Sequence, residues 1–133
     1  MKIVITGHTK GLGKTLASKL SKKHKIIGFS RSSIPIENCD EIVRNSESAD
    51  VFINNAHSDF YQTTLLQLIF NKWKNHSKTI VNIISRAKYP NISKGLIYSA
   101  SKASLSHLAH GLRFKTKKKC RIIDICPGLI NSK

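Results

Sequence analysis

Residues 2–23 constrain the fold more than any other stretch. Lys2-Ile3-Val4-Ile5-Thr6 is short, β-branched and almost wholly apolar, the pattern of a parallel strand buried on both faces. It stops at Gly7, and Gly11 and Gly13 follow. Leu12, Leu16 and Leu20 then recur at helical spacing, with Lys14 to Lys23 as the body of the helix. Strand, glycine-rich turn and helix, in that order, are the setting of a phosphate cradle. Gly7 permits the tight turn, Gly11 lets backbone approach a pyrophosphate, and Gly13 lets the helix pack closely on the strand. The helix start adds free N–H groups and a positive dipole end. The same residues also fit an ordinary glycine-rich turn. They do not form a Walker A loop: Gly13-Lys14-Thr15 imitates its end, but the preceding glycine spacing is wrong.

Further apolar runs read as strands: Lys25–Ser30, Asp50–His57 with its exit, Lys78–Ser85 and Arg121–Cys126. Tyr61–Asn75 reads as a helix with a broad apolar face of Leu65, Leu66, Leu68, Ile69, Phe70 and Trp73. Tyr98–Lys115 reads as a second, with Ala100, Ala103, Leu105, Leu108, Ala109 and Leu112 on one side. Ile34–Asp50 carries the least pattern. Pro35 breaks it, and Asp40-Glu41-Ile42-Val43 is a short third strand or only its remnant.

Tyr98 and Lys102 stand at i and i+4, one turn apart on a shared helix face. A cation held beside a phenol favours the phenolate. Such a pair suits proton transfer to or from a carbonyl oxygen or an alcohol. The same spacing on a basic helix also fits a solvated face.

Composition narrows the partners. The 133 residues, 40% hydrophobic, support one core and not two. No apolar run approaches the ~20 residues of a membrane span, and Met1–Gly7 is too short and too soon broken for a signal peptide. Cys39, Cys120 and Cys126 show no metal-ligand spacing and read as reduced residues of a cytoplasmic protein. No metal site is expected. With 23 Lys and Arg against 7 Asp and Glu, the formal charge of +16 attracts polyanions. The cations are spread along the chain, however. Their one dense cluster, Lys115–Arg121, lies at a helix end where cations suit the dipole. No zinc-finger, RNA-binding aromatic or basic-zipper pattern is present. An anionic cofactor or substrate accounts for the charge better than specific nucleic-acid binding.

Thr6–Gly13 spells T-G-x-x-x-G-x-G, which departs from the common dinucleotide G-x-G-x-x-G. Asn54-Asn55-Ala56-His57, Ser85, Tyr98-x-x-x-Lys102 and Pro127-Gly128-Leu129-Ile130-Asn131-Ser132 follow in order. With these signatures the chain resembles the short-chain dehydrogenase/reductase family in its compact single-domain form. Ser85 precedes Tyr98 by thirteen positions, as the family's serine precedes its tyrosine. His57 replaces the usual glycine of N-N-A-G. Ile130 and Ser132 replace the valine and threonine of P-G-x-V-x-T.

The resemblance implies an α/β, three-layer Rossmann fold: a doubly wound parallel sheet of order 3-2-1-4-5-6 with right-handed crossovers. Residues 1–133 would form a single NAD(P)-binding domain, with the cofactor across the carboxyl ends of the strands. The chain stops at Lys133, so the family's seventh strand and substrate lid are expected to be lacking.

Gly7, Thr9, Lys10, Gly11, Leu12 and Gly13 are implied at the dinucleotide, with Asn55 and Ala56 beside it. Pro127, Gly128, Ile130 and Ser132 are implied at the nicotinamide end. Tyr98 becomes the proton donor or acceptor. Ser85 hydrogen-bonds the substrate oxygen. Lys102 tunes Tyr98 and binds the nicotinamide ribose. At the end of the second strand, a carboxylate suits the 2′-hydroxyl of NAD and an arginine the 2′-phosphate of NADP. Ser30-Arg31-Ser32-Ser33, together with Lys10, favours NADP(H) over NAD(H), unless both cations belong to the general basic excess.

His57 adds bulk where backbone would approach a ligand and reads as a tolerated departure rather than a catalytic accessory. The family's catalytic Asn should lie early in the 61–75 helix. The local residues are Ser58, Asp59 and Gln62, so the water-linked proton relay lacks its usual member. Helices 61–75 and 98–115 are the expected surface of a homodimer or tetramer. The resulting expectation is an NADP(H)-dependent oxidoreductase moving hydride between nicotinamide and a carbonyl or alcohol substrate. The alternative is a non-catalytic NADP-binding sensor or protein-interaction module of the same fold, motivated by the absent Asn and lid.

Overall fold

A computed structural model describes residues 1–85, 95–115 and 118–127. In chain order the elements are β1 (Lys2–Thr6), α1 (Gly11–Leu20), β2 (Lys25–Phe29), α2 (Cys39–Arg44), β3 (Val51–Asn54), α3 (Tyr61–Trp73), β4 (Thr79–Ile83), α4 (Leu96–Arg113) and β5 (Arg121–Ile125). The five strands form one sheet in the order β2-β1-β3-β4-β5, with every neighbouring pair parallel. This is the doubly wound parallel sheet that the sequence implies.

One element of the expected 3-2-1-4-5-6 order is different. The segment expected as the third strand forms α2 instead, and the remaining strands keep their predicted neighbours. Asp40 and Glu41 fall in the first turn of α2, where negative charge suits the dipole. The Asn38 amide also donates to Glu41 Oε2 at 2.6 Å. Cys39, Ile42 and Val43 are buried. The helix thus covers the sheet on the way from β2 across β1 to β3.

Alternation along β1 explains the two cores. Ile3 and Ile5 join Ile53 and Ile83 on one face, against Leu12, Leu16, Ala17 and Leu20 of α1. Val4, Phe52, Ile80 and Ile122 point to the other, against buried residues of α2, α3 and α4. Right-handed crossovers account for this division. The step from β1 to β2 runs one way along the sheet, and every later step runs the other way. The apolar face of α3, including Leu65, Leu66, Ile69 and Trp73, is therefore already buried within the chain. Ile123 and Ile125 on β5 stay 38% and 45% exposed. They are register partners of Val81 and Ile83, on the face that α1 covers elsewhere.

The sheet order reverses direction between β1 and β3. In open α/β sheets the ligand crevice opens beyond the carboxyl ends of the strands at such a point.

Candidate active site

Beyond β1 the chain turns through Gly7 (φ +71°) and Gly11 (φ +53°) before entering α1. Side chains rarely adopt these left-handed values. Gly13 is required for a different reason. A Cβ there would lie 2.0 Å from the Gly7 carbonyl oxygen and 2.6 Å from Asn55 Nδ2, so helix and turn approach too closely for any side chain. Asn55 and Thr6 clamp this turn to the exit of β3. The main-chain N–H groups of Asn55 and Ala56 each donate to Thr6 Oγ1 at 3.0 Å. The Asn55 amide donates to the carbonyls of Thr6 and Gly7 at 3.1 and 3.3 Å. No side chain caps α1, and no acid lies in its first turn. Its first N–H groups and the positive dipole end are therefore suited to an anion.

A cleft of about 520 Å³ opens beside this turn. Gly7, Thr9, Lys10, Arg31, Ser32, Asn55 and Ala56, all expected at the dinucleotide, line it together with Phe29, Ile34, Ile36 and Ile42. Lys10 and Arg31 are exposed. Cations thus occur at both predicted places, against an apolar wall that α2 helps to build.

Ser85, Tyr98, Lys102 and Pro127 line a second cleft of about 230 Å³, with Leu12, Asn55 and His57. Asn55 and His57 line both clefts, so the two adjoin. Ser85 lies two residues beyond the end of β4, and Tyr98 falls in the first turn of α4. Gly11 and Gly13 sit at the start of α1. Gly128, Ile130 and Ser132 lie outside the described residues.

Lys102 is 4% exposed, and this burial pushes its ammonium group down to about 8. Its Nζ lies 5.8 Å from the centre of the Tyr98 ring and donates to Gln62 Oε1 at 2.8 Å. Gln62 is itself buried. Its Nε2 donates to the carbonyls of Asn54 at 2.7 Å and Ile83 at 3.1 Å. Asn54 Nδ2 donates to the Gln62 carbonyl and to Asn82 Oδ1, and Asn82 donates to Asp124. An Arg113–Asp124 ion pair closes the series. Neighbouring strands thus carry Asn54, Asn82 and Asp124 in register, and this polar ladder ends at Lys102.

The His57 ring meets Tyr98 edge-on, with centroids 4.6 Å apart. Burial lowers the His57 pKa, the Lys102 charge lowers it further, and Asp59 opposes both. The imidazole is therefore held toward its neutral form. Its Nδ1 is buried without a hydrogen-bond partner among the described residues. Bulk at a glycine position was the sequence signal for His57. Gln62 reads in the sequence only as a residue near the absent Asn; the signal that could have found it is an amide sharing a helix face with Leu65, Leu66 and Ile69.

Residues 49–133 match the profile of a family described as short chain dehydrogenase. The chain belongs to the short-chain dehydrogenase family. The matched part holds N-N-A, Ser85, the Tyr98–Lys102 pair and Pro127-Gly128, whereas the glycine turn precedes it. No curated protein matches the sequence.

Solved structures cover the turn as well. A short-chain dehydrogenase from Burkholderia cenocepacia in complex with NADP is 18% identical, with a TM-score of 0.78 over 99% of this chain and 73% of that one. A bulky-bulky ketone specific alcohol dehydrogenase from Comamonas testosteroni is 19% identical, with a TM-score of 0.79 and the same coverage. A 3-ketoacyl-(acyl-carrier-protein) reductase from Brucella melitensis complexed with NADH is 16% identical, with a TM-score of 0.74 over 96% of this chain and 75% of that one. These likenesses establish a shared fold, and the profile match establishes the family of oxidoreductases. Among the described residues, no helix is long and apolar enough to cross a membrane.

Proposed function

We propose that this chain, as a single NAD(P)-binding domain, is an NADP(H)-dependent oxidoreductase acting on a carbonyl/alcohol pair. The observation that carries this reading is the junction of the two clefts: Ser85, Tyr98 and Lys102 line one, and it shares Asn55 and His57 with the basic nucleotide cleft. The left-handed glycine turn brings main chain to the cleft without side chains at Gly7 and Gly11, and α1 presents uncapped N–H groups, so the residues fit a dinucleotide.

Gly7, Thr9, Gly11, Leu12 and Gly13 would hold the pyrophosphate side. Lys10, Arg31 and Ser32 would hold the 2′-phosphate of NADP, with Asn55 and Ala56 along the cofactor. Pro127, with Gly128, Ile130 and Ser132, would meet the nicotinamide end. Bound there, NADPH supplies a hydride. Ser85 orients the carbonyl oxygen of the substrate through its hydroxyl. Tyr98 gives its phenolic proton to that oxygen as the C–H bond forms, and the resulting phenolate regains a proton from solvent. Lys102, while charged, stabilises the phenolate. The reverse sequence oxidises the alcohol.

The NADP preference rests on Lys10 and Arg31, since the relatives named above bind NADP in one case and NADH in another. A cytoplasmic location goes with the three free cysteines. A homodimer or tetramer through α3 and α4 would cover exposed Tyr61, Leu96, Ile97 and Phe114. Gln62, at the start of α3, supplies an amide where the absent Asn motivated a non-catalytic reading.

The test is NADPH oxidation by the purified protein across small aldehydes, ketones and quinones, with Tyr98→Phe as control. Turnover that disappears in Tyr98→Phe while NADPH still binds supports the assignment. Equal turnover in both proteins overturns it.

A further inference from the structure

We propose that Gln62 is the positioning residue for Lys102: its side-chain oxygen, aimed by two main-chain carbonyls, holds the ammonium group beside the Tyr98 ring. The inference deepens the oxidoreductase reading and rests on it for the role of Lys102.

An amide side chain has two N–H donors on nitrogen and one acceptor oxygen. Both donors of Gln62 are used, toward the Asn54 carbonyl of β3 and the Ile83 carbonyl of β4. A carbonyl cannot donate, so this pairing fixes which end of the amide faces which way. Turning it over would set oxygen against two oxygens and NH₂ against an ammonium. Oε1 is therefore directed at Lys102, 2.8 Å away. Gln62 and Lys102 are 2% and 4% exposed, so water cannot readily replace the contact. Asn54 closes the arrangement by donating to the Gln62 carbonyl at 3.0 Å. Gln62 thus ties the ends of two central strands to the lysine of another helix.

The charged and titratable groups around Lys102 come from three directions. Tyr98 lies on its own helix. His57, at the β3 exit, feels the Lys102 charge. Asp124 on β5 stands at the far end of the amide ladder and is neutralised by Arg113. Among the described residues, none of these carboxylate or imidazole groups hydrogen-bonds Nζ, whereas Gln62 does. The amide dipole therefore stabilises the charged form of Lys102 without adding a counter-charge.

The experiment follows Lys102 by NMR of ε-¹³C-labelled lysine, assigned with Lys102→Met, in the protein without cofactor or substrate. Lys102 in the unaltered protein is expected to titrate near 8. Gln62→Met, nearly the same shape without the acceptor, is expected to lower that midpoint by about one pH unit, the size of a lost charge-assisted hydrogen bond. Gln62→Glu is expected to raise it, because a carboxylate favours the ammonium. A purely structural glutamine would lower the melting temperature in both variants and leave the midpoint in place, which would overturn the proposal. The unaltered protein supplies a second readout should neither variant fold. The Gln62 side-chain ¹⁵N signal should shift with the Lys102 titration and lose that inflection in Lys102→Met; a flat signal in the unaltered protein would also overturn the proposal. No step depends on turnover. A failed titration removes the role of Gln62 alone, and absent NADPH oxidation with intact titrations removes the oxidoreductase reading alone.

Discussion

Around the β1–α1 turn the restraints act largely on main chain. Two glycines take left-handed φ values, a third has no space for a Cβ, and Thr6 and Asn55 bind backbone groups on both sides of the turn. Around Lys102 the restraints are largely side chains. Gln62, Asn54, Asn82 and Asp124 form a series of amide and carboxylate contacts across α3, β3, β4 and β5. The first arrangement leaves no room for a side chain at Gly13. The second sets the position and charge of one buried cation, and each link can be altered chemically without changing the backbone. A change at the turn should therefore impair folding and nucleotide binding together. Changes in the amide series behind Lys102 should alter chemistry and pH response while the pyrophosphate and 2′-phosphate contacts persist.

Tyr98→Phe should separate the two ends most strongly. Turnover should fall about 10²–10⁴-fold, the usual contribution of a positioned acid–base group, while NADPH fluorescence titrations stay unchanged. A parallel loss of binding would mean that the ends are not independent.

Gly13→Ala probes the other end. With a Cβ placed 2.0 Å from the Gly7 oxygen, the protein should lose ~1–3 kcal/mol of stability, as in other overpacked sites. Thermal melts and NADPH titrations should both register the change. An unaltered melting temperature together with intact binding would show that the turn can relax.

A smaller effect is expected from Lys10→Ala combined with Arg31→Ala. Both residues are exposed, so folding should be untouched. The preference for NADPH over NADH should drop about tenfold, in keeping with two solvent-screened charge contacts. Comparing the two dissociation constants checks this.

The remaining signal is a slope rather than a step. Lys102 titrates near 8 in the fold against an ordinary 10.5. Between those values the unfolded chain binds more protons at this residue, so its contribution to stability rises as pH rises from about 8 to 10.5. Lys102→Met should remove that increment from denaturant titrations run across the same window. An identical pH dependence in the variant would contradict the burial of a charged lysine.

Legibility in the sequence follows the same division. Gly7, Gly11 and Gly13 report steric demands one residue at a time, and Tyr98 and Lys102 are neighbours on one helix, so both signals are local. Asp40-Glu41-Ile42-Val43 reads as a short third strand or its remnant because its two β-branched side chains suit a strand, and the helix over Cys39–Arg44 departs from that reading. The route from β2 across β1 to β3 settles the segment as α2, and no local pattern encodes that route. Gln62 is harder still. Its side-chain partners stand 8, 21 and 40 positions away along the chain, brought together by strand register and by the packing of α3 on α4. The missing Asn was visible as a missing letter, while the amide that faces Lys102 is visible only in the folded chain. His57 was recognised as bulk in place of glycine. Its edge-on contact with Tyr98 required the β3 exit and the start of α4 to meet.

The most direct measurement is a crystal structure of the protein with NADP⁺ bound. The 2′-phosphate is expected beside Lys10 and Arg31, the pyrophosphate on the glycine turn, and the nicotinamide in the smaller cleft facing Tyr98 and Ser85. A nicotinamide ring directed away from Tyr98, or a nucleotide bound outside these adjoining clefts, would contradict this placement.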